Sequence, residues 1–386
     1  MRLSAAPRFL LSFVLLFGFA AGARAVDSVP AAPDLPVRAY ALVDYASGRV
    51  LADKLGEERV EPASITKLMA AYVIYEAIRE GKMKLDDQVL ISENAWRTEG
   101  SRMFAEVNSR VPADALLMGM VIQSGNDATV ALAEHIAGSE STFVDLMNKW
   151  AKQLGLTRSH FMNATGLPHP DHYMTAHDIA KLARALIHDF PEQYARYAIK
   201  EFTYNNITQH NRNRLLWLDP SVDGVKTGHT SSAGYCLVTS AKREQGRMIA
   251  VVLGAKAEKD RVSASQALLN YGFSFYTTRL MHEAGVALAE PRVWLGDTEK
   301  LPLGLAEPLG VTVPKGKAEG LKSEIQVDPQ IEAPVGRGSV HGKVVVTLDG
   351  NTVAEAPLVA LQDVAEGSFF SRLLDHILML FHKLIG

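Results

Sequence analysis

Apolar positions fall into successive rhythms along the chain. Residues 39–45, Ala-Tyr-Ala-Leu-Val-Asp-Tyr, read as a strand. Ser47-Gly48 is a turn, and Val50-Leu-Ala begins the return strand of an antiparallel hairpin. Helical spacing then takes over. Residues 65–80 contain no Pro or Gly, and Gly81 closes them. Further helices are expected over 111–122, 127–137, 143–154 and 175–188, the last with Thr175 as N-cap and Asp178 at N3. The pattern next turns β-rich over 202–205, 222–226, 234–241 and 247–254, and returns to helix over 261–276. Hairpin, helical insert, more strands and a closing helix predict an α+β fold, an antiparallel sheet flanked by helices.

From about residue 286 to 365 short β segments separated by turns dominate, and Asp349-Gly350-Asn351 is a hairpin signal. This predicts a small all-β domain after a first domain spanning 37–283. Residues 368–386 differ again. Phe369, Phe370, Leu373, Leu374, Ile377, Leu380, Phe381, Leu384 and Ile385 recur at helical spacing, with Arg372, Asp375, His376, His382 and Lys383 opposite. Such a helix suits the plane of a membrane interface, and its alternative is to pack back on the β domain.

The N-terminus reads as an export signal. Arg2 and Arg8 precede an apolar run over 9–20, and Ala23-Arg24-Ala25 offers small residues for cleavage after Ala25. The run is short of the roughly 20 residues that span a bilayer. Residues 26–36, rich in Pro and Ala, form a leader. A net charge of −3 implies no attraction to nucleic acid. The single cysteine, Cys236, permits no internal disulfide and sits in an apolar run, so it reads as a core residue.

Three short motifs carry candidate chemistry in this order: Ser64-Ile-Thr-Lys67, Ser124-Gly-Asn126 and Lys226-Thr-Gly228. Each is weak alone, and together they propose a serine acyl-enzyme. Ser64 and Lys67 share one helix face. A lysine becomes a base when burial or a neighbouring cation lowers its pKa. Ser124 is placed to relay a proton and Asn126 to hold a substrate amide. Lys226 and Thr227 suit a carboxylate, and Gly228 would let a substrate backbone approach the strand edge. The histidines His169, His172 and His177, with Asp171 and Asp178, read as a polar loop rather than a metal site. No phosphate loop or dinucleotide fingerprint is present, so no cofactor is expected.

These motifs resemble the D-alanyl-D-alanine carboxypeptidases, the low-molecular-mass penicillin-binding proteins. The resemblance extends through Asn163-Ala-Thr-Gly-Leu167, Asn211-Arg-Asn-Arg-Leu-Leu-Trp217, Asp223-Gly-Val-Lys-Thr-Gly-His-Thr230 and Asn270-Tyr-Gly-Phe273, then into the β domain and tail. It implies that Ser64 attacks the bond between the terminal D-alanines of a peptidoglycan pentapeptide stem, Lys67 takes its proton, and Ser124 serves the leaving group. Backbone N–H groups of Ser64 and His229 would hold the oxyanion, while Lys226, Thr227 and Arg261 would take the terminal carboxylate. β-Lactams would acylate Ser64. The tail would hold the enzyme on the periplasmic face of the inner membrane. Rival readings are a D,D-endopeptidase on cross-linked stems, a non-enzymatic cell-wall binding or β-lactam-sensing protein, and a serine β-lactamase. Glu201-Phe-Thr-Tyr-Asn205 matches a β-lactamase string, but its strand-like centre argues against that role.

Overall fold

The structure, a computed structural model, describes residues 29–244 and 246–385, with side chains as far as residue 380. The expected export signal at 1–25 lies outside the described residues. Strands β1 (Ala39–Asp44) and β2 (Val50–Lys54) form the expected hairpin. Helix α1 (Lys67–Arg79) follows, buried without a break from Lys67 to Ala77. A helix apolar on every side belongs in a core, and α1 runs through the centre of the first domain.

The stretch 111–122, expected as one helix, divides into three. Arg110–Pro112 pairs as a short strand with Gln88–Leu90, α2 covers Ala113–Met118, and Gly119–Gln123 widens into a π-turn. Pro112 has no N–H to donate to a preceding turn, which sets the helix start behind it. Helices α3 (Asn126–Ala137) and α4 (Glu140–Gln153) complete this insert. Helix α4 begins earlier than expected because the Ser139 side chain caps it by accepting from Thr142 N. Helix α5 (Ala176–Asp189) has the anticipated cap, Thr175 Oγ1 accepting from Asp178 N at 3.1 Å.

Strands β3 (Glu201–Tyr204) and β4 (Ile207–His210) make a separate hairpin. Strands β5 (Val222–Thr230), β6 (Gly234–Arg243) and β7 (Gly246–Ala255) then join the first hairpin in one antiparallel sheet of order β2-β1-β7-β6-β5. Helix α6 (Glu258–Phe275) packs on β6 and β7, and α5 packs on β1 and β7. With helices over the sheet, Cys236–Ala241 and Met248–Leu253 are continuously buried, so these strands read as apolar runs rather than alternations. Strand β5 is an edge, and its free side faces the turn that carries Ser64.

Strand β8 (Tyr276–His282), inside the range expected for the first domain, pairs antiparallel with β9 (Leu309–Pro314) and builds the second. That domain continues with β10 (Lys322–Val327), β11 (Val340–Leu348) and β12 (Asn351–Ala360), paired antiparallel around its own core of Val311, Val344 and Leu358. The terminal helix α7 (Phe369–Ile385) leaves Phe369, Phe370, Leu373 and Leu380 more than half exposed. Its polar side is docked. Asp375 accepts from Arg292 Nη2 at 2.8 Å and from Leu295 N at 2.7 Å. Among the described residues no helix is long and apolar enough to cross a membrane.

Candidate active site

Ser64 lies on a 3-10 turn, Ala63–Thr66, and Lys67 opens α1 directly after it. Side chains three apart eclipse in that geometry, so the two groups meet. Lys67 Nζ is 3.1 Å from Ser64 Oγ and donates to Asn126 Oδ1 and the Thr165 carbonyl, each at 2.7 Å. The last two partners only accept. A neutral amine has two N–H bonds and one lone pair, so the lone pair is left for the Ser64 hydroxyl. Lys67 is buried, and desolvation first, then the charge of Arg212, lowers its pKa to about 7.

The Ser64 turn is held by elements distant in sequence. The Asn163 side-chain oxygen accepts from the backbone N–H groups of Thr165, Gly166 and Leu167, at 3.2, 2.7 and 3.1 Å. This winds the loop that aims the Thr165 carbonyl at Lys67. Gly166 has φ +86° and rests on Ala63, where a Cβ would lie 1.9 Å from the Ala63 carbonyl oxygen. His172 Nδ1 accepts from Met162 N at 3.3 Å, so its Nε2–H donates to Thr66 Oγ1 at 2.8 Å. Burial lowers the His172 pKa to about 4, which keeps the ring neutral. One member of the expected polar loop is therefore a buried prop beneath the nucleophile.

Ser124 ends the π-turn in the left-handed region, with φ 62° and ψ 31°. That conformation costs a non-glycine residue about 1–2 kcal/mol. The residues after it are tied to a neighbouring loop: Asn126 N donates to the Ser101 carbonyl at 2.6 Å, and the Asp127 carboxylate accepts from the N–H groups of Met103, Phe104 and Ala105, at 3.0, 3.0 and 3.2 Å. The Ser124 hydroxyl is buried and has no hydrogen-bond partner among the described residues. Asn126 gives its oxygen to Lys67 and one N–H to the Glu99 carbonyl, which leaves a second N–H.

Lys226 is buried on β5, and desolvation, then the charges of Lys67, Arg212 and Arg261, push its pKa well down. The two lysines form a coupled pair that resists carrying two charges. Gly228 also serves a contact within the protein. A Cβ there would meet the Pro62 carbonyl at 2.8 Å, so its missing side chain admits the nucleophile's own turn. His229 is exposed and packs on the Tyr235 ring at 4.1 Å. Arg261, on α6, reaches the Gly228 and Cys236 carbonyls at 3.4 Å and Glu258 at 3.4 Å. Its Nε is buried without a partner among the described residues. Ser64, Ser124, Arg212, Thr227, His229 and Arg261 together line a cleft of about 350 Å³.

Comparison with known proteins matches this arrangement to one family. Residues 26–257 fit the description D-alanyl-D-alanine carboxypeptidase, and residues 276–366 fit penicillin-binding protein 5, C-terminal domain. The chain belongs to the D-alanyl-D-alanine carboxypeptidase family. It is 43% identical to D-alanyl-D-alanine carboxypeptidase DacC of Escherichia coli (strain K12) over 96% of this chain and 95% of the relative. It is 40% identical to DacA of the same strain, over 98% and 97%. The solved penicillin-binding protein 5 from Haemophilus influenzae superposes with a TM-score of 0.79 at 42% identity, over 86% of this chain and 99% of that one.

Within this family frame the β-lactamase string is structural. Glu201 to Tyr204 is strand β3, and Glu201 is exposed and paired with His210 at 3.4 Å, with no contact to Ser64 or Lys67 among the described residues. The Asn163–Leu167 and Asn211–Trp217 segments carry site groups that residue types alone do not mark. The Thr165 carbonyl escapes because a backbone oxygen leaves no residue-type signal. Arg212 was legible only as one charge among many. In the fold it donates to Ser101 Oγ at 2.8 Å and sits in the cleft.

Proposed function

We propose that this chain is a serine D-alanyl-D-alanine carboxypeptidase that removes the terminal D-alanine from peptidoglycan pentapeptide stems through an acyl-enzyme. One observation carries the reading: a buried Lys67 with its pKa near 7, both N–H bonds occupied by pure acceptors, and its lone pair facing Ser64 Oγ at 3.1 Å. Ser64 gives its proton to Lys67 as Oγ attacks the penultimate carbonyl. Backbone N–H groups of Ser64 and His229 receive the oxyanion. The proton passes by way of Ser124 to the departing amine, the C–N bond breaks, and D-alanine leaves. Water then enters against the same base and releases the shortened stem.

The terminal carboxylate binds at Thr227 and Arg261, and Lys226 gains its proton as that anion arrives. Asn126 offers its remaining N–H to the substrate amide. A β-lactam presents an acyl group to the same hydroxyl, in keeping with the name of penicillin-binding protein 5 from Haemophilus influenzae. In this proposal residues 1–25 export the chain, 37–275 carry catalysis, 276–366 form the small β domain, and 368–386 lie on the outer face of the inner membrane, in the periplasm. The exposed apolar side of α7 supports that placement.

Purified protein lacking residues 1–25 should release D-alanine from a pentapeptide and be labelled by a fluorescent penicillin. Ser64→Ala should lose both. Labelling that survives Ser64→Ala would exclude the acyl-enzyme.

A further inference from the structure

The two anion sites of the proposed mechanism, the Arg261 guanidinium and the His229 backbone N–H, share one neighbour. Tyr235, the second residue of β6, is half-buried and lines the catalytic cleft. It stands opposite His229 in the β5–β6 ladder, and the two rings lie 4.1 Å apart, tilted by 34°. A cross-strand ring pair of this kind stiffens the strands that carry it. The Arg261 guanidinium lies over the same Tyr235 ring at 5.5 Å, within reach of a cation–π contact. Tyr235 belongs to none of the three motifs, yet it touches both groups that meet negative charge on the substrate.

The other contacts of Arg261 are long. Its hydrogen bonds to the Gly228 carbonyl, the Cys236 carbonyl and Glu258 each measure 3.4 Å, and its buried Nε has no partner among the described residues. Well-formed N–H···O bonds measure about 2.7–3.2 Å, so these leave the guanidinium plane loosely fixed. Glu258, which also faces Arg214 at 3.7 Å, is a second anion competing for it. We propose that Tyr235 is a positioning residue for both anion sites. Its ring holds the Arg261 guanidinium for the terminal carboxylate rather than for Glu258, and holds the His229 end of β5 so that its N–H meets the oxyanion. The Gly228 carbonyl, which accepts from Arg261, directly precedes His229, so the two sites are also joined through the backbone. This inference rests on the carboxypeptidase reading and adds a positioning residue to it.

The test uses the full mature chain and follows D-alanine release from a pentapeptide as kcat and KM. Tyr235→Leu should raise KM about ten-fold, the size of a desolvated cation–π contact. It should lower kcat about three-fold through the lost ring pair at His229. Tyr235→Phe keeps both ring contacts and should stay within about two-fold of the unsubstituted chain in each constant. Tyr235→Thr, a good strand former without a ring, repeats the comparison with a second side chain should leucine disturb folding. In an Arg261→Gln background Tyr235→Leu should raise KM no further, because the two act on the same carboxylate. Unchanged constants in the leucine and threonine variants, equal losses in the phenylalanine and leucine variants, or a KM rise that persists in full without Arg261 would overturn the positioning role while the carboxypeptidase reading stands. Failure of the unsubstituted protein to release D-alanine would overturn both.

Discussion

Gly166 lies outside the three motifs, yet the fold makes it a determinant of Ser64 position. Replacing it with alanine puts a Cβ 1.9 Å from the Ala63 carbonyl oxygen and 2.8 Å from Thr66 Oγ1. Contacts of that kind do not occur below about 3.0 Å, so the two segments must separate by 3.0 − 1.9, or 1.1 Å. The atom that yields belongs to the residue before the nucleophile. A misplacement of about 1 Å costs on the order of 100-fold in rate. The left-handed φ of +86° adds about 1–2 kcal/mol of strain to the folded state. For a domain of this size that lowers Tm by roughly 3–6 °C. The Thr165 carbonyl moves with Gly166 and releases one Lys67 N–H. Gly166→Ala should therefore fold, melt slightly early, and be acylated by a fluorescent penicillin about 100-fold more slowly. Stopped-time labelling together with a thermal melt measures both. Acylation at the unsubstituted rate, with the early melt present, would refute the idea that this contact positions Ser64.

Acylation should rise with pH and reach half its plateau near 7, because the base works only when neutral and its folded pKa is about 7. Arg212→Gln removes a charge that lowers that pKa, so the midpoint should move upward; a fixed midpoint in a pH series of labelling rates would contradict the assignment. The same shift sets a stability window. Between about 7 and 10.5 the unfolded chain holds a Lys67 proton that the folded chain does not, so this group makes stability rise with pH there. Lys67→Met should flatten that rise in urea titrations. At the other end of the molecule, Asp375→Asn weakens the contacts to Arg292 and Leu295 N. Amides of 369–380 should then exchange hydrogen faster, with labelling of Ser64 unchanged, and equal protection would show that Asp375 does not anchor α7.

The order of residues sets the local elements whose signals are short-range. The Thr175 cap, the Asn351 hairpin and the apolar repeat of α7 each depend on residues within a few positions of one another. It also set the order of the three motifs, because residue types and their spacing are written directly in the chain. The π-turn that ends on Ser124 at φ 62° was not legible, nor was the tie between Asp127 and N–H groups more than twenty residues earlier that holds the neighbouring loop. Nor was the role of Gly228, whose missing Cβ matters only once Pro62 packs against it. The decisive property, the lowered Lys67 pKa, is wholly tertiary. Desolvation and the field of Arg212 exist only after segments distant in sequence close around one amine, which also places a backbone carbonyl, Thr165 O, where no residue type could announce it.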